Sequence, residues 1–134
     1  YLLKRRLFNL FYVVEIDGVI IGFIICVPKS DTLYEIFTLN VHPEWRKKGL
    51  GTSLMLKIEE IISTSILKVL KEYPDSKIDR TYSIELVVYE KNIAALELYK
   101  KLGYQIVENL KNYYRFNRHG IKMRKEISLD NNEM

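Results

Sequence analysis

The sequence predicts a single α/β (α+β) domain over residues 1–134, and three observations carry that expectation. Asp17-Gly18 separates "FYVVEI" from "VIIGFIICV", a tight-turn dipeptide between two β-rich runs. Leu54, Ile58, Ile61, Ile62, Ile66 and Leu70 recur at helical spacing, between the strand-like runs "TLYEIFTLNV" and "TYSIELVVYE". No internal repeat or linker interrupts the chain, and 134 residues suit one domain with its own core.

The elements follow in order. "YLLKRRL" reads as the end of a helix. The chain opens at Tyr1 rather than Met, so an N-terminal piece, helical in part, is expected to be missing. The Asp17-Gly18 hairpin comes next, then a "PKSD" loop. "TLYEIFTLNV" is a third strand closed by His42-Pro43, because Pro cannot continue a central ladder. A helix runs from about Leu50 to Glu72, with Pro74 just beyond its end. "DSKIDR" is a polar loop, and "TYSIELVVYE" is a strand apolar enough for burial on both faces. "NIAALELYKKLGY" is a short helix that Asn92 can cap and Gly103 can end. "QIVENL" and "GIKMRKEI" close the sheet around a "KNYYRFNRH" loop, and residues 128–134 form a frayed polar tail.

Composition narrows the function classes. Hydrophobic residues are 48% and charged residues 28%, as in a soluble globular protein. A net charge of +4 allows an anionic ligand, but the cations form no basic and aromatic stripe, so no nucleic-acid partner is expected. No apolar run reaches the roughly 20 residues of a membrane span, and no membrane partner is expected. One cysteine, Cys26, excludes an internal disulfide and suits a reducing, cytoplasmic location. It sits in an apolar run and reads as a buried, inert thiol. Two distant histidines, His42 and His119, give no zinc pattern, so no metal is expected.

The segment Arg46-Lys47-Lys48-Gly49-Leu50-Gly51-Thr52 joins a strand to a helix. Its glycines let backbone N–H groups approach a ligand closely. The helix start adds partial positive charge and unsatisfied donors, and the cations add countercharge. Together these suit a pyrophosphate. A P-loop is excluded because the lysines precede the glycines, and a dinucleotide fingerprint because position 54 is Leu. A solvated basic turn before a helix remains the alternative for this stretch alone.

In the second helix Asn92, Ala95 and Tyr99 share one face. The two segments together resemble the acetyl-CoA signatures of the GNAT acetyltransferases, Arg/Gln-x-x-Gly-x-Gly/Ala and then Asn-x-x-Ala-x-x-x-Tyr-x-x-x-Gly-Phe/Tyr. Arg46, Gly49 and Gly51 match the first; Asn92, Ala95, Tyr99, Gly103 and Tyr104 match the second. The likeness covers about residues 10 to 127. It implies a central mixed, mostly antiparallel sheet with splayed parallel middle strands, flanked by helices. It also implies acetyl-CoA as cosubstrate, held by Leu39, Val41, Arg46, Lys47, Lys48, Gly49, Leu50, Gly51, Thr52, Asn92, Ala95 and Tyr99. Within that superfamily, "LYEIFTLNVHPEWRKKGLGT" and the later "NYY" are most similar to RimI/Ard1-like protein N-terminal (Nα) acetyltransferases. The acceptor would then be a protein or peptide N-terminus, a ribosomal protein among the candidates, met by Phe37, Tyr113 and Tyr114. The working form would be a monomer or homodimer.

Acetyl transfer to an amine needs a proton acceptor, an oxyanion donor and help for the departing thiolate. A free α-amine has a pKa near 8, so a modest base suffices. Glu35, a carboxylate inside an apolar strand leading to the glycine loop, is the first candidate base. Glu85 on the next strand is the second. The related enzymes often carry Glu or His five residues before the motif asparagine; here that residue is Val87, which accepts no proton. By the resemblance, Tyr99 would be the general acid at the sulfur, with a backbone N–H near Leu39 or Val41 as oxyanion donor. The alternatives are a small-molecule amine or lysine side chain as acceptor, or a CoA-binding module without catalysis. The stretch from Ser63 to Arg80 is longer than the family pattern and has no assigned role.

Overall fold

The computed structural model describes residues 9–129. The expected N-terminal helix end therefore lies outside the described residues. β1 (Leu10–Ile16) and β2 (Val19–Pro28) form an antiparallel hairpin. Asp17 and Gly18 both take left-handed φ, 52° and 80°, which matches the right-handed twist of the flanking strands. β3 (Leu33–Val41) pairs antiparallel with β2. One 3-10 turn, Pro43–Trp45, follows, capped by His42 Nδ1, which accepts from the Glu44 N–H at 3.1 Å.

α1 (Leu50–Glu72) and β4 (Thr81–Tyr89) match the expected bounds. α2 (Ile93–Lys101) starts where Asn92 Oδ1 accepts from the Ala95 N–H at 3.1 Å, and Gly103 at φ 99° ends it. β5 (Gln105–Arg115) and β6 (Arg118–Ser128) complete one six-stranded sheet, order β1-β2-β3-β4-β6-β5. Among the described residues only β3 and β4 run parallel; every other pairing is antiparallel.

The core lies on one face of this sheet. Leu54, Met55, Ile58, Ile62 and Ile66 of α1 meet Ile24, Cys26, Tyr34, Ile36, Ile84, Leu86, Val88 and Met123. Burying each such aliphatic side chain contributes about 1.5–3 kcal/mol. Tyr99 of α2 and the following Tyr104 join the same cluster, their rings edge-to-face at 6.0 Å. Cys26 is fully buried there, and burial, with a smaller contribution from Glu35, pushes its thiol up to about 12. The Tyr104 hydroxyl donates to Glu59 at 3.1 Å, and Lys125 pairs with the same carboxylate at 2.9 Å. That group ties α1 to β6.

Three expectations need correction. β4 buries one face only, Tyr82, Ile84, Leu86 and Val88, while the alternate residues are half-buried. Among the described residues no helix covers that second face, and Phe11 and Phe37 stand 62% and 64% exposed on it. The "KNYYRFNRH" loop is mostly strand. β5 runs through Tyr113 and Tyr114 to Arg115, because a bulge between Leu110 and Arg115 absorbs the polar residues without ending the pairing. The tail is not frayed at its start: Ser128 ends β6, and Leu129 is buried with its N–H on the Arg80 carbonyl at 2.9 Å. Residues 130–134 lie outside the described residues.

Candidate cofactor site

The parallel pair defines the site. β3 and β4 are laddered only at Leu33↔Ser83, Tyr34↔Ile84 and Glu35↔Glu85. Beyond that β3 continues to Val41 and β4 to Tyr89 without pairing. The strands part into a V, and alternate main-chain groups of β3 lose their ladder partner on that side. A cavity of about 540 Å³ opens at the wide end.

Each wall comes from a sequence segment with its own reason for being there. β3 supplies Leu39, Asn40 and Val41; the turn after it supplies Trp45, Arg46 and Lys47. Arg46 Nε donates to the Val41 carbonyl at 3.0 Å, which folds the turn against the strand end. Lys47 (φ 61°) and Gly49 (φ 83°) both enter the left-handed region, which turns the chain into α1.

α1 brings Gly49, Leu50, Gly51 and Thr52 to the cavity. Its first internal bond is Ser53 N–H to the Gly49 carbonyl, and no side chain caps the N-terminus. The amides of Leu50, Gly51 and Thr52 thus precede the helical ladder and lack helical acceptors. A Cβ at Gly51 would stand 3.2 Å from Leu98 Cδ2, so a side chain there would crowd Leu98 where α1 nears α2.

α2 contributes Asn92, Ala94, Ala95, Leu98 and Tyr99. Tyr99 is buried, and burial, then the Tyr114 phenol, pushes its hydroxyl up to about 12. It stays protonated through the physiological range and so can donate a hydrogen bond. Among the described residues no carboxylate lines the cavity, so none of them repels a diphosphate there. Free amides at a helix start, two cations and a cavity roomy enough for a diphosphate fit coenzyme A. Among the described residues no cluster of side chains suits a metal ion, and no helix is long and apolar enough to cross a membrane.

The sequence of residues 8–106 matches the Acetyltransferase (GNAT) domain. The chain belongs to the GNAT acetyltransferase family. It is 33% identical over 95 residues to the N-terminal acetyltransferase B complex catalytic subunit of Arabidopsis thaliana, covering 71% of this chain and 47% of the relative. It is 28% identical over 117 residues to an N-alpha-acetyltransferase of Sulfurisphaera tokodaii, covering 78% of this chain and 61% of the relative. The chain thus spans about half to three-fifths of the length of these two relatives. Among solved structures, Ard1 from Thermoplasma volcanium superposes with a TM-score of 0.72 at 25% identity, covering 87% of this chain and 70% of that one.

Within this GNAT fold the expected residues fall in different places. Leu39, Val41, Arg46, Lys47, Gly49, Leu50, Gly51, Thr52, Asn92, Ala95 and Tyr99 share the cavity. Lys48 does not line it; its ammonium lies 5.8 Å over the Trp45 ring. Glu35 and Glu85 do not line it either. They sit side by side where the V closes, Glu35 paired with Lys29 at 3.3 Å, and Glu85 with Arg124, whose Nε donates at 2.7 Å. Phe37 lies on the open sheet face. Tyr113 and Tyr114 stack edge-to-face at 4.9 Å on β5, and the Tyr114 hydroxyl donates to the Val87 carbonyl at 3.3 Å. Four lining residues, Asn40, Trp45, Ala94 and Leu98, escape the sequence reading. Extending the α2 face by i+4 from Ala94 reaches Leu98, the one signal available for that pair.

Proposed function

We propose that this chain transfers the acetyl group of acetyl-CoA to the α-amine of a protein or peptide N-terminus, by direct attack in a ternary complex. The carrying observation is the cavity between the parted strands, where unpartnered α1 amides and the protonated Tyr99 hydroxyl face the same space. Leu50, Gly51 and Thr52 amides with Arg46 and Lys47 would hold the diphosphate. Acetyl-CoA supplies an activated thioester whose carbonyl carbon an amine can attack. Unpaired β3 amides near Leu39 or Val41 would donate to the developing oxyanion.

Tyr99 holds its proton more tightly than a thiol of ordinary pKa, about 8.5, holds its own. Full proton transfer to the leaving thiolate therefore runs uphill, and Tyr99 serves as a hydrogen-bond donor instead. The amine loses its proton to Glu35 directly or through water. Glu35 suits this better than Glu85, because its side chain is 26% exposed against 13% and it faces one lysine rather than an arginine fork.

The peptide acceptor draws support from the half-exposed Tyr113–Tyr114 pair beside the cleft and from the relatives named for N-terminal acetylation. Mass spectrometry of a peptide panel with varied first residues, ribosomal-protein N-termini included, run against spermidine and aminoglycosides, tests it. Acetylated peptide α-amines are expected. Acetylation of spermidine, aminoglycosides or lysine side chains alone would transfer the reaction to another acceptor. Acetyl-CoA binding without transfer to any amine would leave a binding module.

A further inference from the structure

The Tyr113–Tyr114 pair rests on a seat separate from the cofactor cavity. β5 and β6 lose register between Leu110 and Arg115, so the chain there bulges from the ladder. The bulge is latched at two points. Asn112, at φ 55°, donates its N–H to His119 Nδ1 at 2.8 Å, and its Oδ1 accepts from the Asn117 N–H at 2.9 Å.

This lays Tyr113 across Gly120. A Cβ at Gly120 would lie 2.7 Å from Val87 Cγ1, 3.1 Å from Tyr113 Cβ and 3.2 Å from Tyr113 Cδ2. Gly120 has no left-handed φ, so the position needs glycine for space and not for backbone freedom. Valine is stiff at χ1 and cannot swing its methyl aside. Below, the Val87 carbonyl takes the Tyr114 hydroxyl, and Tyr89 meets the Tyr114 ring edge-to-face at 6.1 Å. Tyr113 and Tyr114 remain 50% and 47% exposed.

We infer that Gly120 and Val87 are positioning residues, which interlock to hold Tyr113 and Tyr114 where an extended peptide N-terminus meets them. The acceptor in this statement rests on the function proposed above; the seat itself rests on geometry. Val87 is then the lower half of a steric pair whose upper half is Gly120.

The test is a two-residue cycle on the full chain. G120A is expected to raise KM for the peptide about tenfold, by overpacking against Val87 and Tyr113, while KM for acetyl-CoA stays within about twofold. V87A in the G120A background removes the nearest clash and is expected to return most of that loss. In parallel, ring signals of ¹³C-labelled tyrosine are expected to move for Tyr113 and Tyr114 in G120A, and to return in V87A/G120A. Unmoved ring signals would overturn the seat whatever the acceptor is. Moved signals with an unchanged peptide KM would overturn the positioning role. If the parent chain acetylates no peptide, the acceptor reading fails, and the ring signals alone decide the seat.

Discussion

The two ends of the β3–β4 pair are opposites built from the same two strands. At the closed end, Leu33–Glu35 is laddered to Ser83–Glu85, Tyr34 and Ile84 are buried beneath, and each glutamate holds its own cation. At the open end, Leu39–Val41 faces a cavity lined by cations, hydroxyls, carboxamides and the α1 amides, with no carboxylate among the described residues. The closed end satisfies its polar groups internally, while the open end leaves donors for a ligand. Unsatisfied donors cost stability, and the packed face at the closed end offsets that cost. The V thus joins a laddered, ion-paired end to an end where the strands stay parted.

The largest expected effect falls on the open end. Gly49→Glu places a carboxylate beside the α1 amides proposed to hold the diphosphate and forces a side chain into φ 83°. It should weaken coenzyme A binding at least about 100-fold by calorimetry, through like-charge repulsion and backbone strain. Normal affinity would break the assignment of this end. Next, Tyr99→Phe should lower kcat about 10- to 100-fold with KM for acetyl-CoA nearly unchanged, because the donor matters only as the thiolate forms.

The same residue predicts a pH dependence. The folded pKa of Tyr99, about 12, lies above its unfolded value near 10. Its contribution to stability is fully present below pH 10 and is lost as the pH rises from 10 to 12. Melting curves of the parent chain should fall more steeply across that window than those of Tyr99→Phe.

The closed end should respond differently. Glu35→Gln should reduce turnover about tenfold at neutral pH while coenzyme A affinity is kept; an unchanged rate would remove Glu35 as the base. Smallest of all, Glu85→Gln should leave affinity intact and cost about 1 kcal/mol of stability, since Arg124 is half-exposed and water screens the pair. A loss of coenzyme A affinity from either closed-end change would collapse the contrast between the two ends.

The sequence shows the elements from Asp17 to Gly103 because each carries a local signal: a turn dipeptide, a helical repeat, a cap, a terminating glycine. The pairing of Arg46–Thr52 with Asn92–Tyr99 is legible through the resemblance of the two segments to the GNAT signatures. Three features are not legible. The parting of β3 from β4 depends on where a ladder stops, and Phe37, Leu39 and Val41 look as strand-like as Tyr34 and Ile36. The extent of β5 is hidden because Asn112 and Asn117 signal turns, and the bulge they form lies inside a strand pairing. The neutralisation of Glu35 and Glu85 depends on Lys29 and Arg124, which only the register brings alongside.

Cys26 carries a practical consequence. It is the only sulfhydryl in the sequence, lies with no solvent contact under α1, and ionises only at extreme alkalinity. Chromogenic disulfide reagents attack thiolates, so the folded protein should be silent toward them. Colour developing in a reaction mixture should then count coenzyme A set free, turnover by turnover, with no protein background to subtract.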